Sequence, residues 1–182
     1  ELFTSLYNNQ RILFELLTDY AHYHDLTLAV ISKTRSSELQ KQEKEYFESI
    51  SKASSFEFIL SDKFDGEFNS YHAGLASDLI LSPGSTLGFE MLGAGKKVLF
   101  GASMDRHFLE LWGMGPYFDA LPSLLKLESS SRTDFFEHCD RIRSIPLGVY
   151  VELIQDPAYN IVSMPKTKYP HQIVKETLEK LF

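Results

Sequence analysis

A single cysteine, Cys139, stands in a chain of 182 residues. It has no internal partner, so no disulfide staples the fold, and the usage fits a reducing compartment. No apolar run approaches the roughly 20 residues of a membrane-spanning helix. No basic stretch followed by an apolar one opens the chain, which argues against a signal peptide. The glycine fingerprints GxGxxG and GxxxxGK[ST] are missing, which disfavours a dinucleotide fold and a P-loop. The six histidines form no HExxH pair, and His22 and His24, two residues apart, do not share a helix face. Ser85 lacks GxSxG flanks, so a hydrolase triad is not expected. Basic residues are the minority, 18 against 25 acidic, for a net charge of −7. That balance repels nucleic acid and anionic lipid at long range, leaving at most peripheral membrane contact.

What is present is enough for a core. Hydrophobic residues make up 43% of the chain, with 14 Phe and 9 Tyr. That excludes a disordered chain, and the length suits one domain over 1–182. Glu1 leads almost at once into a helical pattern, so a fragment of a larger protein is expected, with a strand preceding residue 1.

Helical spacing of Ile12, Leu13, Leu16, Leu17 and Tyr20 predicts a helix from Asn9 to His24, capped by Asn8 or Asn9. Leu26 to Ser32, Phe56 to Leu60, Asp78 to Leu81 and Lys97 to Phe100 read as short buried strands. Helices are expected between them, over Ser36 to Ala53, Asn69 to Ala76 and Thr86 to Ala94, the last stopped by Gly95. This alternation predicts an α/β fold with a mostly parallel sheet, its ligand edge at the strand C-termini. Further on, Met104 to Trp112 suggests a helix and Gly113 to Pro122 a loop. Thr133 to Arg143 and Pro170 to Leu181 are read as helices, the latter with an apolar stripe of Ile173, Val174, Leu178 and Leu181.

The stretch from Ser77 to Ala102 holds most of the chemistry. It is a strand, a small-residue corner, a helix and a strand. Gly84 allows close approach of a ligand to the backbone. Ser85 and Thr86 are placed to cap the helix and offer N–H groups at its positive end, a phosphate site needing no lysine. Glu90 lies one turn further on the same face, where a carboxylate suits the paired hydroxyls of a ribose better than a phosphate. A plain cap and a solvated glutamate explain the spacing equally well. Lys33 and Arg35, after the first strand, are candidates to neutralise phosphate, or simply a solvated basic turn; Ser36 or Ser37 would cap the helix that follows. Asp62 to Phe68 follows the second strand and holds no distinctive residue. Asp105, Arg106 and His107, after the fourth strand, are candidates to reach a sugar or an acceptor.

Asp78, the corner Gly84-Ser85-Thr86, Glu90, Gly95-Lys96 and Val98-Leu99-Phe100 resemble the signature of the C-terminal domain of GT-B glycosyltransferases. Gly84 and Glu90 have the six-residue spacing seen in the bacterial lipid-II N-acetylglucosaminyltransferase family, which implies a ribose contact for Glu90. The run Ser85-Thr-Leu-Gly-Phe-Glu-Met-Leu92 is closer to bacterial surface-polysaccharide and capsule transferases, some similar to Kdo transferases; Phe100-Gly101 and Trp112 share in this weakly. The resemblance covers about 26 residues. It implies a Rossmann-like three-layer α/β/α domain, one half of a two-domain enzyme. Its substrates would be a nucleotide sugar and a glycan or lipid-linked acceptor, with no cofactor and no metal. Its place would be the cytoplasm, at the inner face of a bacterial membrane, with the acceptor domain and any catalytic base supplied elsewhere. Rival readings are a UDP-sugar 2-epimerase, whose helix usually carries two adjacent glutamates where this one has only Glu90, a polyol-phosphate polymerase, and a non-catalytic docking module.

Overall fold

The computed structural model describes residues 2–32, 34, 36–51, 56–60, 69–101, 106–111 and 115–162. Eight helices and four strands follow one another among them: α1 (Leu2–Tyr23), β1 (Leu28–Ile31), α2 (Ser37–Ile50), β2 (Phe56–Ile59), α3 (Asn69–Ala76), β3 (Ile80–Ser82), α4 (Thr86–Gly93), β4 (Val98–Phe100), α5 (Arg106–Leu111), α6 (Gly115–Asp119), α7 (Arg132–Ser144) and α8 (Leu147–Val162). A short 3-10 turn, Ser123–Leu125, separates α6 from α7. The helix expected over Pro170 to Leu181 lies outside the described residues, as do the loop from Asp62 to Phe68 and Trp112.

The strands are parallel, as the alternation predicts, and each pair is one βαβ unit. β1 pairs with β2 in the register Leu28 to Phe56 and Ile31 to Ile59. β3 pairs with β4 from Ile80 to Val98 and Ser82 to Phe100. Among the described residues the expected continuous sheet is instead two two-stranded sheets. Three- and four-residue strands present few backbone groups for lateral pairing, and side chains take over the work of joining the pairs. β4 is extended on its far side by a parallel bridge from Phe100 to Lys126.

Helix α1 does that joining. Leu13, Leu16 and Tyr20 enter a core built on Val98, Leu99 and Phe100, and completed by Phe118, Leu125, Phe135, Ile142 and Tyr150. Phe14 and Ala21 enter a second core with Leu28, packed by Phe47 and Phe56. The Phe14 ring lies 4.8 Å from that of Phe47 and 5.5 Å from that of Phe56. All three residues of β4 are fully buried, which is the sign of a parallel strand covered on both faces.

Three differences from the sequence reading have local causes. α1 begins at Leu2, so Asn8 and Asn9 are helix interior residues and not caps. The segment expected as a loop, Gly113 to Pro122, contains α6. Pro116 sits in its first turn, where a missing N–H costs nothing, and Phe118 is driven into the core. α8 goes unread because Gly148 and Pro157 punctuate it, yet Tyr150 and Ile154 one turn apart are fully buried and hold it on the domain.

Tyr150 also closes a hydrogen-bond account. Its hydroxyl accepts from the buried amide of Val98 at 3.0 Å, supplying a partner to the first residue of β4. Tyr150→Phe keeps the ring and orphans that amide. A loss of about 1–3 kcal/mol in urea unfolding is expected; an unchanged midpoint would mean the amide finds another acceptor.

Candidate functional site

The corner between β3 and α4 is organised by Ser82, the last residue of the strand. It is buried, and its Oγ accepts from the amides of Gly84 at 3.2 Å and Ser85 at 3.1 Å. Gly84 takes a left-handed φ of 118°, which lets the chain fold back over that hydroxyl. With both lone pairs engaged, Ser82 has only its proton left to give, and Ser85 Oγ stands 3.2 Å away to receive it. Ser85 is the N-cap of α4, and its Oγ also accepts from the Gly88 amide at 3.3 Å. Both lone pairs of Ser85 are then filled, so its own O–H must point elsewhere.

This bookkeeping changes which groups face outward. The Ser85 amide, expected from the sequence among the free donors, is turned inward onto Ser82. The Gly84 amide is likewise occupied. Among the described residues no acceptor is paired with the amides of Thr86 and Leu87, the first two of the helix. The donors at the corner without an acceptor among the described residues are therefore the Ser85 hydroxyl proton and the Thr86 and Leu87 amides. They lie at the positive end of an eight-residue helix, with the Thr86 side chain exposed.

The far end of α4 shows why Gly95-Lys96-Lys97 follows. Gly95 adopts φ 77°, and the Gly95 amide reaches Leu92 O while the Lys96 amide reaches Met91 O, both at 2.9 Å. This is a Schellman stop, in which glycine carries the left-handed turn. Lys96 Nζ then donates to Leu75 O at 2.8 Å in the last turn of α3. Lys97 Nζ donates to Arg143 O and Ile145 O, both at 2.7 Å, at the end of α7. Both lysines thus satisfy helix C-terminal carbonyls, where a positive charge is favoured.

Glu90 is exposed, one turn beyond the corner, and accepts a short hydrogen bond from the Tyr71 hydroxyl in the first turn of α3. α3 ends just before β3 begins, so its first turn lies toward the C-terminal end of β3, beside the start of α4. The bond to Glu90, more than burial, pushes the Tyr71 phenol up to about 12. Tyr71 therefore remains a donor at any physiological pH.

Of the other sequence candidates, His107 is exposed on α5. Arg106 opens the same helix. Lys33, Arg35 and Asp105 lie outside the described residues. Around Lys33 and Arg35 the frame is ordered by polar contacts: Ser32 Oγ donates to Glu43 at 2.6 Å, and Gln40 Nε2 donates to Thr34 O at 3.0 Å. Ser36 is the N-cap of α2 by position, but its hydroxyl makes no capping bond. Sequence reasoning missed Ser82 and Tyr71. Ser82 had a signal, a serine directly before a Pro-Gly-Ser bend, since hydroxyls at such places bond amides two or three residues on. Tyr71 had none, because only the packing of α3 on α4 brings it to a residue 19 positions away.

A family model described as "putative O-antigen biosynthesis protein" matches residues 1–112. The chain belongs to this O-antigen biosynthesis family. The match runs from α1 through α5 and includes the whole corner from Ser82 to Glu90. It ties the chain to polysaccharide biosynthesis. No curated protein and no solved structure matches the chain. No helix among the described residues is long and apolar enough to cross a membrane. No group of side chains among them is arranged to hold a metal ion.

Proposed function

We propose that this member of the O-antigen biosynthesis family is the donor-binding half of a GT-B glycosyltransferase, holding a nucleotide sugar for transfer to a surface glycan. The observation that carries the reading is the juxtaposition at the start of α4: these three donors at a helix N-terminus, and an exposed carboxylate one turn away. The donors suit a phosphate and the carboxylate suits a ribose diol. Stabilising the departing phosphate is the catalytic work this half performs, an electrostatic effect of oriented donors.

In this reading the two strand pairs belong to one Rossmann-like three-layer domain, and the corner at the C-terminal end of β3 lies on the edge where such folds take a ligand. Lys33 and Arg35 follow β1 and would face the same crevice, neutralising phosphate. Asp105, Arg106 and His107 follow β4 and would face the sugar or the acceptor. The acceptor, a glycan or lipid-linked sugar, would be held by a second domain, at the cytoplasmic face of the membrane. No cofactor is required, because the activated donor already carries the leaving group.

Calorimetry with UDP, GDP, CDP and CMP tests the reading. One or more of them should bind. Glu90→Ala should weaken that binding by about 10- to 100-fold, the value of one or two hydrogen bonds to a charged acceptor. A chain that binds none of the four, or an unchanged affinity in Glu90→Ala, would leave a scaffold of the same fold.

A further inference from the structure

Resting on the ribose reading of Glu90, we infer that Tyr71 is a positioning residue: its hydroxyl holds one oxygen of Glu90 so that the other faces the sugar hydroxyls.

An exposed glutamate such as Glu90 has no fixed orientation of its own. Three rotatable bonds leave its carboxylate spread over many orientations, and binding a ligand must collapse them. A second side chain that has already fixed one oxygen removes that cost. Tyr71 does this with its phenolic O–H on Glu90 Oε2. The acceptor is bound from one side only, since a carboxylate has lone pairs on both oxygens and Tyr71 engages one.

Tyr71 is itself held by the frame around it. α3 is pinned to α4 at its other end by Lys96 on Leu75 O. Midway, Gly74 lies so close to Met91 that a Cβ there would meet the Met91 sulfur at 2.7 Å. The separation of the two helices is fixed at two points, and the Tyr71 to Glu90 bond makes a third. The phenol cannot ionise at working pH and so stays a donor to the carboxylate. Tyrosine suits this role where serine or lysine does not. A serine is too short to cross between the helices. A lysine would neutralise the carboxylate and offer mobile protons in place of one directed bond.

The test is a double-mutant cycle on the full chain. Wild type, Tyr71→Phe, Glu90→Ala and the double variant are titrated with UDP, GDP, CDP and CMP and with their 2′-deoxy forms. Tyr71→Phe should weaken the ribonucleotide by about three- to tenfold, the cost of ordering one freed side chain. It should change the deoxy form by less, so the ribo-to-deoxy preference shrinks. In the Glu90→Ala background the same change should do nothing. A Tyr71→Phe effect that is equal for ribo and deoxy ligands, or that persists without Glu90, overturns the inference and makes Tyr71 a structural residue or a direct contact. Loss of affinity in Glu90→Ala with none in Tyr71→Phe overturns it while the ribose reading stands. A silent Glu90→Ala removes both.

Discussion

Gly88→Ala is expected to cost the fold about 2–3 kcal/mol, although alanine is the better helix former by about 1 kcal/mol. The steric term outweighs the propensity term because of what a Cβ at this position would meet. It would run into the Ser82 side chain and lie 3.2 Å from Cε1 of Phe100. Neither neighbour can withdraw. Ser82 Oγ holds the amides of Gly84 and Ser85. Phe100 is fully buried, with Phe89 stacked at 4.7 Å and Phe118 edge-on at 5.6 Å. The substitution must therefore lift α4 from β3 and β4, and it disturbs the corner directly. Urea unfolding should show a lower midpoint with an unchanged slope, and the nucleotide affinity proposed above should fall with it. Gly148→Ala is the control, since a Cβ there has nothing within 4 Å. It should be neutral or mildly stabilising. Equal midpoints for wild type and Gly88→Ala would show that α4 does not need this close approach.

Stability should fall steadily as pH rises from about 9 to 12. Three weak acids, Tyr20, Cys139 and Tyr150, are each 1% exposed or less. Burial pushes the Tyr150 phenol to about 12, opposed only by the Val98 amide. Burial also dominates at Tyr20, raised to about 12, where a bond from Arg143 opposes it and one to Asp140 at 2.6 Å adds to it. Cys139 rises from 9.0 to about 12, by burial first and then by the neighbouring charge of Asp140. All three folded values lie above the unfolded ones, so the contribution is complete only below about pH 8. It declines once the unfolded groups begin to ionise and is gone as pH passes the folded values. A shift of two units is worth on the order of 2–3 kcal/mol for Tyr150, and less for Tyr20, whose hydroxyl is only partly shielded beside Asp140. Even one such contribution is a large share of the 5–15 kcal/mol or so that typically holds a domain folded. Circular dichroism and thermal unfolding from pH 8 to 12 would record the fall. A melting temperature level up to pH 12 would mean these groups ionise in place without cost.

How far the sequence could be read depended on whether a feature was local. The strands were legible because Leu28 to Ile31 and Val98 to Phe100 are short apolar runs between turn residues, and pattern alone marks them. The corner was legible because serine caps and glycine stops are chemical statements about a few neighbouring residues, and Ser85 and Gly95 act as their types suggest. The direction of an amide was not legible. Ser85 was expected to turn its N–H outward, and the buried Ser82 hydroxyl turns it inward. Nor was Tyr71 legible, since its bond to Glu90 follows from the packing of α3 on α4. α8 was hidden by its own glycine and proline, and only its burial of Tyr150 and Ile154 accounts for a helix there. The division into two strand pairs was equally out of reach, because alternation fixes which strands are parallel but not which are adjacent.

The opening helix has a consequence for how the molecule comes apart. Leu17 packs against both hydrophobic clusters, and its neighbours Leu16 and Phe14 each serve one of them. Neither strand pair owns that helix, so neither can melt while keeping its floor. Leu26, just past the helix, also packs against both clusters, so fraying around Leu13 to Leu17 should loosen the first βαβ unit and the second together, and heat should be absorbed in one peak.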